Sequence, residues 1–275
     1  MERLSEKKFL LLRNFIYGQC GINLLASKKI LLESRLRKRM VALNISSFET
    51  YIDHLMSPAG LDTELANMID AITINKTDFF RESGHFQFMS DSIIPHWLQT
   101  KTQQRTVFKV WSAACSTGEE PYTIAMVLQD ASMKYNFDYN IIGSDISSRV
   151  LEKAVNAIYS ESSVSMIPVN VRKRYLLRSK DRTLQCVRIA PFLRAKVQFK
   201  RLNLIDNLLE MDSDFDLIFC RNLLIYFDRV TQEKVLQKLT NKIRPGGHLF
   251  IGHSESIYSM NLPLRQIQPA VFRRE

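Results

Sequence analysis

Val107-Phe108-Lys109-Val110-Trp111-Ser112-Ala113-Ala114-Cys115-Ser116-Thr117-Gly118-Glu119-Glu120-Pro121-Tyr122 passes from one backbone pattern to another. Val107–Cys115 is an apolar run short enough for a buried strand. Ser116, Thr117 and Gly118 supply turn chemistry, and a helical pattern over Glu119–Met133 starts directly behind them. The alternation repeats downstream. Tyr139–Asp145 reads as a strand and Ser148–Ala157 as a helix. Val197–Leu202 and Phe215–Cys220 read as strands, the latter with Asp216 as its one charge. Val230–Ile243 reads as a helix, Pro245-Gly246-Gly247 as a turn, and His248–Ile251 as a further strand. Thr183–Ile189 predicts an added strand or small hairpin. This order predicts an α/β fold, a doubly wound and mostly parallel sheet with helices on both faces.

Upstream, residues 1–70 read as helices only. Leu4, Leu11, Leu12, Phe15 and Ile16 fall at helical spacing. Ser27 is placed to cap a second helix, on which Leu32, Leu36, Met40 and Leu43 form a stripe. Ser46-Ser47-Phe48-Glu49 has the capping-box pattern before a third. A shorter helix is predicted at Leu61–Asp70. The domains expected are 1–72, all-helical, and 73–275, with a small basic β-subdomain inserted at about 171–198.

The 275 residues are 45% hydrophobic and 24% charged, which excludes wholesale disorder. No apolar run approaches the roughly 18 residues of a membrane span. Arg13 and Asn14 interrupt Phe9–Leu12, so no secretory signal is expected. Cys20, Cys115, Cys186 and Cys220 show no C-x-x-C spacing, which argues against a disulfide scaffold or a zinc ribbon. A soluble, cytoplasmic, monomeric protein without a metal is expected. The formal net charge is +10. Residues 171–201 hold eleven basic side chains and one acid, which accounts for the whole excess. A second cluster at 28–40 includes Lys28, Arg35, Lys38 and Arg39. Two basic regions point to an anionic partner, a nucleic acid or an acidic protein surface.

In an open α/β sheet the ligand sits beyond the carboxyl ends of the strands. The tips here carry Ala113–Pro121, Asp145, Asn203 and Arg221-Asn222. No G-x-G-x-x-G is present. The first tip offers one glycine and two acids, which repel phosphate and attract an ammonium or sulfonium. Asp145, 27 positions past Gly118, is placed to hold ribose hydroxyls. The pattern suits a nucleoside that carries positive charge.

At these residues the chain resembles the chemotaxis receptor methyltransferases, the CheR family of S-adenosylmethionine-dependent protein-glutamate O-methyltransferases. The motifs are Asn75–Glu82, Val110–Tyr122, Ser144-Asp145-Ile146, Phe215–Asn222 running on to Ile225-Tyr226-Phe227-Asp228, Pro245-Gly246-Gly247 and Gly252-His253-Ser254-Glu255-Ser256. They span essentially the whole chain, in order. The resemblance implies a class I methyltransferase-like sheet behind a helical receptor-docking domain. It also implies S-adenosylmethionine as methyl donor, S-adenosylhomocysteine as product, and chemoreceptor cytoplasmic domains as protein substrate. By motif position the donor is held by Asn75, Thr77, Arg81, Glu119, Asp145, Asn203, Leu204, Arg221 and Asn222, with Glu119 toward its amino group. Arg81 and Tyr226 orient the incoming side chain. Lys28, Arg35, Lys38 and Arg39 form the docking helix face. The insert Arg178–Val187 lacks glycine, a departure from members that dock a receptor tether there.

The implied chemistry asks little of the protein. A glutamate has a reference pKa near 4.3, so the nucleophile is ionised at neutral pH and needs no base. What remains is alignment in a dry site. Cys115, Cys220 and His253 are accordingly expected to be structural. Two rivals share the same crevice. A nucleic-acid methyltransferase would explain the charge, but the fourth strand is followed by Arg221-Asn222 rather than by N-P-P-Y-type chemistry, and there is no Pro-Cys nucleophile. A non-catalytic S-adenosylmethionine sensor would not need Arg81 and Tyr226.

Overall fold

In the computed structural model, residues 3–73, 75–100 and 107–275 are described. The first helices are α1 (Glu6–Cys20), α2 (Lys29–Ala42), α3 (Phe48–Met56), α4 (Pro58–Thr63) and α5 (Leu65–Ile72). They close over a core in which Phe9, Leu12 and Ile16 meet Leu32, Leu36, Phe48, Tyr51 and Leu55. Three details differ from the sequence reading. Leu11 is exposed, and Phe9 occupies the buried stripe in its place. Ser27 does not cap α2; it lies in a 3-10 turn, Ala26–Lys28, and α2 has no side-chain cap. The cap of α3 is Ser47, whose Oγ accepts the Thr50 amide at 3.1 Å, one residue later than the Ser46–Glu49 box.

Next come α6 (Gly84–Phe88), a π turn at Met89–Ile93 and α7 (Ile94–Thr100), none anticipated from sequence. Phe86, Met89, Ile94 and Trp97 bury their side chains against the sheet that follows. That region is built from β1 (Val107–Ala113), α8 (Glu119–Tyr135), β2 (Asp138–Asp145), α9 (Ser148–Asn156), β3 (Ile158–Ser160), α10 (Val169–Tyr175), β4 (Leu176–Arg178), β5 (Cys186–Ile189), α11 (Pro191–Arg194) and β6 (Val197–Arg201). It continues with β7 (Phe215–Cys220), α12 (Arg229–Lys242), β8 (Ile243–Ile251), β9 (Leu264–Gln268) and β10 (Val271–Arg274).

The main sheet runs β6-β2-β1-β7-β8-β10-β9. The first five strands are mutually parallel, and β10 and β9 add an antiparallel edge. Every residue of β7 is buried. Leu217 and Phe219 enter the core on one face, Ile218 and Cys220 the core on the other. This two-sided burial is why the strand reads as a continuous apolar run rather than an alternating one. Its one charge, Asp216, accepts the Lys109 amide at 2.9 Å and pairs with Arg244. Pro245-Gly246-Gly247 is not a turn before a strand. β8 already begins at Ile243, and the three residues bulge from it where the register against β7 jumps from Phe215↔Ile243 to Leu217↔His248.

A second, antiparallel sheet orders β3-β5-β4, and its first strand precedes the 171–198 segment. Part of the basic cluster is engaged in contacts on the surface of the fold. Arg174 pairs with Asp130, Arg178 with Glu161 and Lys196 with Asp138. Arg188 and Arg201 donate to the carbonyls of Asn156 and Ile146. Among the described residues no helix is long and apolar enough to cross a membrane.

Candidate functional site

The order β2-β1-β7 puts the switch point of the sheet beside β1. The registers Ala113↔Ser144 and Ala113↔Cys220 bring the carboxyl ends of the three strands level. A cleft of about 290 Å³ opens there, with the start of the helical domain as its far wall. Non-glycine residues with positive φ cluster around it, at Phe80, Glu82, Ala114, Ser116 and Asn222. Left-handed backbone at such residues is held only where the surroundings over-determine it.

The loop after β1 is pinned from three sides. The Cys115 amide donates to the Ser144 carbonyl at 2.8 Å, the Ser116 amide to Asp145 at 2.9 Å, and Ser116 Oγ to the Asn75 carbonyl at 2.9 Å. Gly118 has φ +94°, and a Cβ there would meet Ala154 Cβ and the Tyr159 hydroxyl, each at 2.9 Å. Only glycine fits that approach.

Asp145 ends β2 and faces the cleft. Its Oδ1 accepts the amide of Ser147 at 3.0 Å, and Ser147 in turn caps α9. Burial raises its carboxyl pKa against the lowering by these amides. Each oxygen has taken one donor and retains acceptor capacity for a hydroxyl. Asn75, Thr77 and Arg81 line the opposite side, ahead of α6. Asn203 and Leu204 line it past β6. Asn203 also donates to the Gln19 carbonyl at 2.9 Å and so ties the strand tip to α1.

Arg221 and Asn222 line the cleft past β7. The Arg221 guanidinium is nearly sealed and lies between Glu82 and Glu120, 3.0 Å from each. It also donates to the Arg81 carbonyl and lies over the Phe86 ring. With these partners it has little donor capacity left for a ligand. Glu120 faces the cleft, while Glu119 is buried behind it with its carboxylate on the Thr117 hydroxyl at 2.6 Å and its pKa raised by burial. Sequence reasoning gave no role to Glu82, and it took Glu120 only as one of two acids that attract a cation, with Glu119 as the one toward the donor. The signal was present, two acids inside the matching motifs, but not their partner.

Tyr226 stands at the cleft in a short 3-10 turn, Leu224–Tyr226. Burial raises its phenol, and the charges of Arg81 and Arg35 oppose that rise. Arg35 therefore belongs to this cleft. It donates to the carbonyls of Ile72 and Thr73 rather than presenting a free cation. Arg39 is also engaged, with both guanidinium ends on buried Glu64 at 2.7 and 2.9 Å. Lys28, at the cleft rim, and Lys38 are exposed. Cys115 and Cys220 are buried, which pushes both thiols well up and leaves them poor nucleophiles. Among the described residues, one grouping has metal-ligand chemistry: Glu82, His85 and His253. Glu82 is already neutralised there by Arg221.

Comparison with known proteins gives a consistent result. Residues 7–73 match the family described as the CheR methyltransferase all-alpha domain, and residues 75–272 match the CheR methyltransferase SAM binding domain. A chemotaxis protein methyltransferase of Borreliella burgdorferi is 38% identical over 94% of this chain and 91% of its own. Chemotaxis protein methyltransferase 2 of Pseudomonas aeruginosa is 34% identical over 98% and 93%. The chemotaxis protein methyltransferase of Salmonella typhimurium is 35% identical over 94% and 86%.

Proposed function

The chain belongs to the CheR methyltransferase family, and from that premise we propose that it transfers the methyl group of S-adenosylmethionine to glutamate side chains of chemoreceptors, giving methyl esters. The observation that carries the glutamate reading is that Arg81, Arg35 and Tyr226, whose phenol feels both cations, line the same cleft as Asp145.

The cleft suits such a donor. Asp145 offers buried acceptors for ribose hydroxyls, Asn75, Asn203 and Asn222 offer amides, and the Glu120 side attracts a cation. When bound, S-adenosylmethionine supplies a methyl already activated by a sulfonium, with no metal needed. The protein's work is to hold the acceptor. Arg81 binds the glutamate carboxylate by a charge-assisted hydrogen bond, and Tyr226 fixes the second oxygen. Arg35 adds positive potential without direct pairing, so the oxygen that attacks keeps its nucleophilicity. No side chain has to take a proton, because the acceptor is already ionised. The exposed Lys28 and Lys38 remain on the face proposed to meet an acidic receptor surface.

The family match, which covers both domains, favours the receptor reading over the nucleic-acid one. The deciding experiment is labelled methyl transfer to chemoreceptor-containing membranes followed by mild alkali. Release of the label as methanol is expected. Label that survives alkali would refute the ester. Arg81→Ala should lose most turnover, roughly a hundredfold, with the far-UV spectrum unchanged; near-normal turnover would remove Arg81 from its role.

A further inference from the structure

Glu255 is a carboxylate with no cation on it in the described network. Its oxygens are taken up by backbone. Oε2 accepts the amides of Asn222 at 2.9 Å and Gly252 at 2.6 Å, and Oε1 accepts the Leu224 amide at 2.7 Å. The Ile225 amide faces it as well. The amides of Asn222, Leu224 and Ile225 belong to the segment that runs from the tip of β7 into the turn that carries Tyr226, and that of Gly252 follows β8. Asn222 is held there in left-handed backbone, φ +59°. The fit is close on all sides. A Cβ on Gly252 would lie 2.6 Å from Asn222 Nδ2 and 2.9 Å from Glu255 Oε2.

We propose that Glu255 is a positioning residue for methyl transfer, a carboxylate template on which Asn222-Leu223-Leu224-Ile225 is wound so that Tyr226 faces the acceptor. This rests on the reading of Tyr226 given above. Two further contacts complete the mount. Asn23 donates its amide to the Tyr226 carbonyl at 2.8 Å, and Gln232 Nε2 donates to the carbonyls of Leu224 and Phe227. The turn that carries Tyr226 is thus held through its backbone by both domains, while the Tyr226 hydroxyl is left for the substrate. The carboxylate is suited to the task because only an acceptor-only group satisfies three converging N–H donors. Burial raises the pKa of Glu255, and the amides it accepts pull it back down.

The test compares Glu255→Gln, Tyr226→Phe and the double variant in the full chain. Readouts are kcat and KM for receptor, and the Kd of S-adenosylmethionine by calorimetry. Glutamine keeps the shape but must turn its NH2 toward at least one of these amides. The expectation is a loss of kcat of about tenfold or more that clearly exceeds any rise in the Kd for S-adenosylmethionine, since misplacement of a reacting group is costly while Asn222 is only one of several donor-facing groups and the Asp145 side is untouched. The double variant should lose little beyond the worse single one, because both act through the same hydroxyl. If Glu255→Gln does not fold, Gly252→Ala perturbs the same template through its new methyl and takes its place. Tyr226→Phe with normal turnover would refute the substrate-orienting reading. Tyr226→Phe impaired with Glu255→Gln normal, or fully additive losses, would refute the template and leave that reading intact.

Discussion

Arg39 tests whether the basic helix α2 is a docking surface throughout or is partly spent on folding. Its guanidinium meets Glu64 through two hydrogen bonds, and Glu64 is only 1% exposed. The Tyr51 hydroxyl donates to the same carboxylate at 2.9 Å. Arg39→Ala leaves that carboxylate buried against one phenol. Loss of one partner from a buried pair costs about 3–5 kcal/mol. Arg39 retains partial exposure, 24% at its side chain, which sets the expectation at the lower end, about 3 kcal/mol. Against a typical total of about 5–15 kcal/mol this is a large share, and it corresponds to a fall in Tm of about 6–12 °C. Lys38→Ala, one residue away and exposed, should stay within about 0.5 kcal/mol. Arg39→Met combined with Glu64→Gln should recover more than half the loss, because it removes both members of the pair. The assay is thermal unfolding followed by helical circular dichroism, with the KM for receptor measured well below the transition. An Arg39→Ala protein that melts within 2 °C of wild type, yet shows a raised KM, would refute the structural assignment and return Arg39 to the docking face.

The other expectations concern the cleft and the core. Gly118→Ala should abolish measurable S-adenosylmethionine binding in calorimetry, because its Cβ meets Ala154 and Tyr159 at 2.9 Å with φ at +94°; retained affinity would show that the loop yields. His85 and His248 are each held by burial at a pKa of about 4. The unfolded chain binds these protons from pH 6.5 downward and the folded chain does not, so this stabilisation is complete above pH 6.5 and is lost as pH falls toward 4. The loss amounts to about 2 kcal/mol per histidine by pH 5. Urea midpoints at pH 7.5 and 5.0 should therefore differ less in His248→Gln than in wild type, and equal differences would contradict it. Glu120→Gln should weaken S-adenosylmethionine at least about tenfold and S-adenosylhomocysteine less, since only the former carries the sulfonium charge. Equal losses in the two titrations would mean that Glu120 acts on shape alone.

The sheet was legible because its strands obey one rule along the chain. β7 is buried on both faces and reads as six residues broken only by Asp216, and β1 and β2 end in small or polar residues where helices begin. α6 and α7 were not legible. They are short, and a π turn between them shifts the hydrophobic period, so Phe86, Met89 and Trp97 do not fall on one regular stripe. β9 and β10 hid because β9 is mostly exposed. In the cleft, residue type and strand-tip position could be read, but partners could not. Arg39 and Glu64 are 25 residues apart, and Arg221 and Glu82 139. Nothing local marks those cations as paired. Glu119 and Glu120 differ by one helical step, about 100° of rotation, and that step decides which acid faces the cleft.

The charges around the cleft divide in a way that bears on the proposed reaction. On the proposed cofactor side, one guanidinium, Arg221, is shared by two carboxylates, and Asp145 adds another that accepts only backbone amides. Around Tyr226, on the proposed acceptor side, stand Arg81 and Arg35 against the single carboxylate of Glu255. The two sides have opposite sign. A sulfonium and a carboxylate entering from these sides are each drawn to the end that suits them, and their own attraction is set along the line between them. Methyl transfer removes both charges at once, so the product pair loses both attractions. The same division that aligns the reactants thus favours release, and no residue has to change protonation state to reset the site. This is why a cleft with no acid–base dyad and reactive thiols suppressed by burial is sufficient for the chemistry. On this proposal the fold's task at the site is to keep Arg221 neutralised and Tyr226 in place.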